Sequence, residues 1–227
     1  MDLKLKGHNV LVTGGTKGIG RAIVEILSDE GCNIALCARN ADDVNAAVEA
    51  ISAKGVKVVG QQLDVGDGDA FKAWIAAAGE ELGGLDAYVS NVSGSNAPGD
   101  AGWQSHFDYN IMSAVRGVEA CMPFFEKSDN PSVVMISTTA ALEHFINAGP
   151  YNAMKAGLLN YSGALAQEIG AKGIRVNAIS PGPIFIDGGS WDKIKQGMTA
   201  FYDSTVAQIP LGRMGTAEEV AAQAALL

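Results

Sequence analysis

The sequence contains few of the residues that build metal sites or disulfide frameworks. It has three cysteines and three histidines among 227 residues, and no two cysteines have Cys-x-x-Cys spacing. An odd number of cysteines without paired spacing argues against a disulfide framework, and so few histidines leave little material for a metal site. We therefore predict no metal centre and no structural disulfides.

Long apolar runs and clusters of basic residues are also missing. No apolar stretch reaches the roughly 18 residues that a membrane span needs, and the first residues lack a signal-peptide pattern. This predicts a cytoplasmic protein without a membrane partner. The formal net charge is −9, and a negative field repels phosphate backbones, so we expect no nucleic-acid partner.

Short apolar runs rich in β-branched residues alternate with longer helix-like stretches. The runs predicted to be strands are 9–13, 33–38, 57–63, 87–92, 132–137 and 175–179. The predicted helices are 18–30, 41–53, 69–82, 102–126 and 150–171. This alternation is typical of βαβ units. We predict one α/β domain over residues 1–227, with a doubly wound parallel sheet, helices on both faces, and ligands at the carboxyl ends of the strands.

The segment 181–210 interrupts the alternation of strands and helices. It carries three prolines, four glycines and several large apolar side chains, among them Trp191 and Tyr202. Long irregular segments in compact domains often form lids or substrate loops. We predict a lid here, and the alternative is a helical excursion whose aromatic residues pack on the core.

A glycine-rich loop follows the first predicted strand and opens the first helix. Its residues are Thr13-Gly14-Gly15-Thr16-Lys17-Gly18-Ile19-Gly20. Glycines at such a turn let the backbone approach a pyrophosphate at the positive end of the helix. The motif differs from the P-loop, which ends in Gly-Lys-Ser/Thr. Gly14, Thr16, Lys17, Gly18, Ile19 and Gly20 are therefore candidate residues for binding a dinucleotide.

The residues at the end of the second strand favour NADP over NAD. An NAD site usually places a carboxylate there for the ribose 2′-hydroxyl, whereas this chain has Arg39. Arg39 and Lys17 are two cations that can converge on a 2′-phosphate. The alternative is that both are solvated surface charges and that Asp42 or Asp43 binds the ribose of NAD.

Tyr151 and Lys155 lie four residues apart in a predicted helix with apolar neighbours. Residues i and i+4 share one helix face, so a hydroxyl and an ammonium can point into the same space. A tyrosine ordinarily keeps its proton until about pH 10, so acid–base work at neutral pH requires a nearby positive charge and partial desolvation. The pair is therefore a candidate for proton transfer.

These motifs together resemble the short-chain dehydrogenase/reductase family, whose fold is Rossmann-type. The resemblance covers nearly the whole chain. It is carried by the glycine loop, Leu63-Asp64-Val65, Ser90-Asn91-Val92-Ser93-Gly94, Asn110, Ile136-Ser137-Thr138, the Tyr151 to Lys155 motif, Arg175-Val176-Asn177 and Pro181-Gly182. Its single-domain branch includes 3-oxoacyl-carrier-protein reductases and carbonyl reductases.

The resemblance implies a role for each matching position. Tyr151 would be the general acid/base, Lys155 would bind the nicotinamide ribose, and Asn110 would complete a proton relay through a water. Further cofactor contacts would come from Asp64 and Val65 at the adenine, Asn91 at the adenosine side, and Gly94, Pro181, Gly182 and Ile184 along the pocket. The expected activity is hydride transfer between NADP(H) and a carbonyl or secondary alcohol.

The sequence departs from the family pattern at several positions. The serine that usually polarises the carbonyl is replaced by Thr138, with Ser137 as the alternative. Ile186 stands where a threonine often meets the carboxamide, so the backbone near Ile184 would have to serve. The chain ends where relatives usually continue through another strand, so we expect the last edge strand to be missing.

Three further expectations concern partners and alternatives. The helix around Tyr151 is apolar on nearly every face, which predicts a homodimer or homotetramer. Glu143, His144 and Phe145 are candidates for the wall of a small-molecule pocket. An enoyl reductase is disfavoured, because the enoyl reductases of this family have more residues between the tyrosine and the lysine than the three between Tyr151 and Lys155. The alternative to an enzyme is a catalytically silent, dinucleotide-sensing protein of the same fold.

Overall fold

The computed structural model describes residues 3–144 and 148–227, in which six parallel strands form one sheet. The strands are β1 (Asn9–Thr13), β2 (Asn33–Ala38), β3 (Val58–Gln62), β4 (Ala87–Ser90), β5 (Ser132–Ile136) and β6 (Arg175–Ile179). Their order is β3-β2-β1-β4-β5-β6. This confirms the predicted doubly wound, Rossmann-type sheet, and β6 is its edge strand.

The helices cover both faces of the sheet. They are α1 (Gly18–Asp29), α2 (Ala41–Ser52), α3 (Gly68–Leu82), α4 (Asp100–His106), α5 (Ser113–Phe125), α6 (Pro150–Ile169), α7 (Ser190–Gly197), α8 (Thr199–Gln208) and α9 (Ala217–Leu226). Apolar residues of α3, α5 and α6 form one core against the sheet, and those of α1, α2 and α9 form the other. The four inner strands β1, β2, β4 and β5 are largely buried on both faces, which explains their apolar sequences.

The helix predicted over 102–126 is interrupted by a π-helical turn at Phe107–Met112 between α4 and α5. A π-helical turn changes the direction of the side chains within a helix and often marks a functional site. Here the turn includes the buried Asn110. The sequence predicted one continuous helix over 102–126. A single π-helical turn hardly changes the helical periodicity of the apolar residues, so the interruption is not visible in the sequence.

The fourth strand ends earlier than predicted, at Ser90 rather than at residue 92. Asn91 leaves the strand direction because its backbone amide donates to the Thr13 hydroxyl at 3.0 Å. The chain order reverses between β1 and β4, and in open α/β sheets ligands bind beside such a point. The loops that follow these two strands therefore border the expected ligand crevice.

No helix in residues 3–144 and 148–227 combines the length and apolar character needed to cross a membrane.

Candidate active site

The glycine loop after β1 forms a backbone cradle that has no room for side chains. Gly14 has φ +68°, in the left-handed region that favours glycine. A Cβ on Gly20 would lie 2.2 Å from the Gly14 carbonyl oxygen and 2.5 Å from the Asn91 amide nitrogen. Asn91 holds the loop in place by donating from Nδ2 to the Thr13 carbonyl at 3.0 Å. The loop is thus fixed against the end of β4, and α1 begins directly after it.

A cavity of about 360 Å³ lies between this loop and the ends of β2 and β3. Gly14, Thr16, Lys17, Arg39, Asp64 and Val65 line it together with Cys37, Ala38, Asn40, Asp43, Leu63, Val92, Ser93 and Tyr109. Six of the predicted cofactor residues therefore share one cavity. Ile19, by contrast, packs with the core beneath α1.

The two predicted phosphate-binding cations are placed differently. The Arg39 guanidinium lies 6.0 Å from the centre of the Tyr109 ring, within cation–π range. The Lys17 ammonium instead pairs with the Asp43 carboxylate at 2.6 Å, and the lysine side chain is 74% exposed. This ion pair reduces the negative charge at Asp43, and a surface pair of this kind is weak enough to be exchanged for a phosphate.

Asp64 is held at the floor of the cavity by two hydrogen bonds. Its Oδ1 accepts from the Gly66 amide at 2.9 Å, and its Oδ2 accepts from the Tyr109 hydroxyl at 2.8 Å. Burial and then the hydrogen bond to Asp64 raise the pKa of the Tyr109 hydroxyl, so tyrosine remains the donor. Tyr109 belongs to the π-helical turn, and no motif in the sequence predicts that it reaches this cavity.

Tyr151 and Lys155 lie on the first turns of α6, as predicted. Lys155 is 3% exposed, and its ammonium donates to the carbonyl of Ile136 at the end of β5, 2.6 Å away. Burial lowers the pKa of this ammonium from 10.5 to about 8. It therefore stays mostly protonated at pH 7, as a positive charge shielded from water beside the carboxyl end of the sheet.

The structure distinguishes the two hydroxyl groups that follow β5. The Ser137 hydroxyl donates to the backbone carbonyl of Lys155 at 3.1 Å and so fastens α6 to β5. The Thr138 hydroxyl accepts from the Ala140 amide at 3.3 Å. Within residues 3–144 and 148–227, no acceptor for the Thr138 hydroxyl proton is recorded. Thr138 therefore has a proton to donate to a ligand, whereas the Ser137 proton is engaged.

Asn110 lies within a network that also contains an unpredicted histidine. Its Oδ1 accepts from the Gly94 amide at 3.1 Å, and its Nδ2 lies 3.0 Å from Nδ1 of His106. Nε2 of His106 lies 3.0 Å from Oδ1 of Asn96. The His106 ring meets Tyr151 edge-on, with ring centres 5.7 Å apart. The network thus connects the loop after β4 with Tyr151.

The comparisons with known proteins agree with this geometry. A family model described as "Enoyl-(Acyl carrier protein) reductase" matches residues 14–227. Isoepoxydon dehydrogenase of Penicillium expansum is 35% identical over 231 residues, which are 98% of this chain and 88% of the relative. The 3-oxoacyl-[acyl-carrier-protein] reductase of Chlamydia muridarum is 31% identical and is covered to 92% by the whole of this chain.

The chain belongs to the short-chain dehydrogenase/reductase family. The solved structure of L-sorbose reductase from Gluconobacter frateurii, complexed with NADPH and L-sorbose, superposes with a TM-score of 0.90 at 28% identity. That match covers 100% of this chain and 91% of the reductase. The protein is an oxidoreductase of this family, whose members use nicotinamide cofactors.

The residues of this short-chain dehydrogenase/reductase fit a dinucleotide. The cradle at Gly14 and Gly20 admits backbone contact only, and the adjoining cavity carries a guanidinium, a fixed carboxylate and a phenol. A pyrophosphate requires close backbone approach, and an adenosine requires a cavity with a few polar groups. Both requirements are met beside the point between β1 and β4 where the strand order reverses. Among the described residues, no group of three His, Cys, Asp or Glu side chains could hold a metal ion.

The segment after β6 borders the same region. The Pro181 carbonyl accepts from the Thr139 amide at 2.9 Å, and Gly182 has open space around its Cα. Ile184 forms a parallel bridge with Gly215 that uses the flanking backbone groups at 183 and 185. The Ile186 side chain lies 3.1 Å from where a Cβ would stand on Gly18. The segment thus closes onto the glycine loop from the β6 side.

The predicted lid contains the two short helices α7 and α8. Aromatic side chains of the segment pack in pairs: Trp191 of α7 stacks on Phe201 of α8 at 6.1 Å, and Phe185, which precedes α7, meets Tyr202 of α8 edge-on at 6.3 Å. Lys195 lies 5.3 Å above the Phe185 ring. Glu143 and His144 are exposed beside an open groove under Trp103, and Phe145 lies outside the described residues.

Proposed function

We propose that the protein is an NADP(H)-dependent carbonyl reductase or alcohol dehydrogenase acting on a small molecule. The observation that supports this most directly is the buried Lys155 ammonium on the helix that carries Tyr151, which donates to the carbonyl of Ile136, two residues before Thr138. These groups supply a proton donor, a positive charge and a hydrogen-bond donor on one side of the dinucleotide cradle. This set is what the reduction of a carbonyl requires.

In the reducing direction, the bound dinucleotide supplies the hydride. Thr138 donates a hydrogen bond to the substrate oxygen and favours the negative charge that develops there. Tyr151 protonates that oxygen, and Lys155 keeps a buried positive charge one helical turn further along α6. The amide of Asn110 is engaged at both ends, so it holds the loop after β4, and its part in a proton relay remains a prediction.

The spacing of the pair favours carbonyl over enoyl reduction, although the family model is described as an enoyl reductase. Lys155 follows Tyr151 by one helical turn, so the two share a face of α6. The relatives support a small-molecule carbonyl or alcohol as substrate, since they include an oxoacyl reductase and a sorbose reductase.

The test is Tyr151→Phe, which keeps the ring and removes only the phenolic hydroxyl. We expect NADPH-dependent reduction of a panel of ketones, sugars and oxoacyl thioesters to fall by about 10²–10⁴-fold. NADPH binding, measured by fluorescence titration, should be unchanged. Near-normal turnover by the variant would eliminate the proposal. A wild-type protein that binds NADPH but turns over nothing in the panel would instead support a dinucleotide-sensing protein.

The preference for NADP rests on Arg39, which is exposed at the end of β2 and lines the cavity. We expect Arg39→Ala to weaken NADPH binding by about 10–100-fold, the value of a charge-assisted hydrogen bond, and to leave NADH binding nearly unchanged. Arg175→Ala, at the exposed amino end of β6, is the matched control. Equal losses for both dinucleotides would contradict a 2′-phosphate role and favour Asp43 as a ribose ligand.

We also propose that the protein is a homodimer or homotetramer, and that the segment 181–210 is a lid over the substrate. Exposed small residues on the outer face of α6 support the first proposal. Two aromatic contacts within the segment, Trp191 with Phe201 and Phe185 with Tyr202, support the second, because they couple its parts so that they can move together.

A further inference from the structure

His106 is a buried titratable group to which the proposed reaction assigns no role. It ends α4, its side chain has no exposed area, and it stands one turn before Asn110. Its two ring nitrogens have different partners. The Asn110 Oδ1 accepts from Gly94, which orients the amide so that Nδ2 faces His106 as a donor. The Nδ1 atom of His106 must therefore accept, and Nε2 must carry the proton that it donates to Asn96.

The network holds the loop after β4 from three residues within two turns of one helical segment. Ser105 accepts from the Ser95 amide at 2.9 Å, His106 bonds to Asn96, and Asn110 accepts from the Gly94 amide. His106 is the central member, because it contacts both Asn96 and Asn110. A Cβ on Gly94 would lie 2.6 Å from the Cα of His106, so loop and helix are in backbone contact.

His106 also touches the proton donor directly. Its ring meets the Tyr151 ring at 68°, edge to face, with centres 5.7 Å apart. The titratable groups that face it are Tyr151 and Lys155, both from α6. A charged imidazole here would face the Lys155 ammonium and would present a proton to the amide donor of Asn110. Only the neutral ring fits this arrangement.

We propose that neutral His106 is a positioning residue that holds Asn110, the loop after β4 and the Tyr151 ring in their working arrangement, and that its protonation disrupts that arrangement. This inference depends on the proposed reductase function for its kinetic consequence, but its structural part does not. Burial and the charge of Lys155 lower the pKa of His106 below 6.5, so the ring is neutral at pH 7. Activity should therefore be lost as the pH falls through that lowered pKa.

The kinetic test compares two substitutions. His106→Phe keeps an aromatic ring against Tyr151 but leaves Asn110 and Asn96 without their partner, and we expect kcat to fall about 10–100-fold with little change in the KM for NADPH. His106→Gln supplies a neutral acceptor and donor that do not titrate. It should recover most of the activity and lose the acid limb of the pH profile. His8→Gln is the control, since the His8 ring lies at the opposite, amino end of the sheet with its Nδ1 atom 3.0 Å from the Leu5 carbonyl.

The structural part is measured without turnover by long-range ¹H–¹⁵N NMR of the imidazoles, assigned with the variants. We expect the Nε2–H tautomer for His106 between pH 6.5 and 8, and a shift of the Asn110 side-chain amide as the ring is protonated. An Nδ1–H tautomer, or an acid limb that persists unchanged in His106→Gln, would overturn the proposal. A correct tautomer in a protein without reductase activity would instead overturn the function proposed above.

Discussion

The chemistry at the scale of single residues depends on what burial does to Lys155. The ammonium is almost completely enclosed and has the Ile136 carbonyl as its hydrogen-bond partner. Its pKa falls from 10.5 to about 8, a change equivalent to about 3 kcal/mol. The folded protein bears this cost at neutral pH, because the unfolded chain binds the same proton more tightly. A charge kept under such conditions serves function rather than stability.

We therefore predict that Lys155→Met makes the protein more stable and inactive. The free energy of unfolding at pH 7 should rise by about 2 kcal/mol, because the desolvation cost disappears while one hydrogen bond of about 1 kcal/mol is lost. The wild type should gain stability relative to the variant as the pH rises from 8 to 10.5, where the buried lysine becomes neutral. Urea unfolding at several pH values measures both effects.

Lys172→Met is the matched control for this prediction, since Lys172 is an exposed lysine paired with Glu126. Surface pairs contribute at most about 1 kcal/mol. A Lys155→Met protein that is less stable than the wild type at pH 7 would show that the ammonium stabilises the fold, contrary to the argument from burial.

Some of these single-residue properties follow from the sequence and others do not. Tyr151 and Lys155 were predictable because helical spacing alone puts them on one face. The Lys17–Asp43 ion pair was not predictable. The sequence places two cations near a phosphate site, but it does not show whether Lys17 pairs with the phosphate or with a neighbouring carboxylate. His106 was missed as well. A lone histidine in a helix has no distinguishing spacing, and its partners Asn96 and Asn110 come together only through the loop and the π-helical turn.

At the scale of elements, the strands and the first three helices were predicted to within two residues at each end. Their apolar periodicity and the glycines between them mark these elements clearly. The turn at Phe107–Met112 was not. Its geometry depends on the Asn110 contact with Gly94, and the sequence pattern of a helix does not register such a tertiary contact. The widened turn brings Tyr109 to the cofactor cavity and Asn110 to the loop after β4, so one local irregularity serves both halves of the site.

The glycine loop gives a prediction at this scale. In Gly20→Ala the added methyl group would meet the Gly14 carbonyl and the Asn91 amide, both of which are backbone or fixed groups. The loop would have to shift. We expect the free energy of unfolding to fall by about 1–3 kcal/mol, as for an overpacked core, and NADPH binding to weaken by at least about tenfold. Calorimetric titration and urea unfolding measure the two losses.

Gly170→Ala is the control for the loop prediction. Gly170 has helical dihedral angles of −59° and −34°, and no atom lies within 4 Å of its Cβ position. Alanine there should be neutral or stabilise by up to about 1 kcal/mol, without affecting the cofactor. Equal behaviour of the two variants would mean that the close approach at Gly20 is not needed for binding.

At the scale of the whole molecule, the outer face of α6 links the catalytic helix to the proposed assembly. Leu158, Leu165 and Ile169 face the core on one side of this helix. On the other side the small residues Ala153, Gly157, Gly163 and Ala164 are exposed together with Asn160, and the only charged residue exposed on this helix is Glu168 near its end. A helix face with small residues and so little charge can pack closely against a second partner. A second copy packed there would also stabilise the helix that carries Tyr151 and Lys155.

We predict that Ala164→Arg, at an exposed position on this face, reduces the protein to the mass of a single chain in sedimentation equilibrium. A buried arginine without a partner costs several kcal/mol at an interface, enough to dissociate a symmetric pair in which it occurs twice. Reductase activity should fall together with the mass, because α6 loses its outer support. Ala73→Arg, at an exposed position of α3, should leave the assembly unchanged. A wild-type protein that sediments as a single chain would contradict the homo-oligomer, and the support for α6 would then have to come from the chain itself.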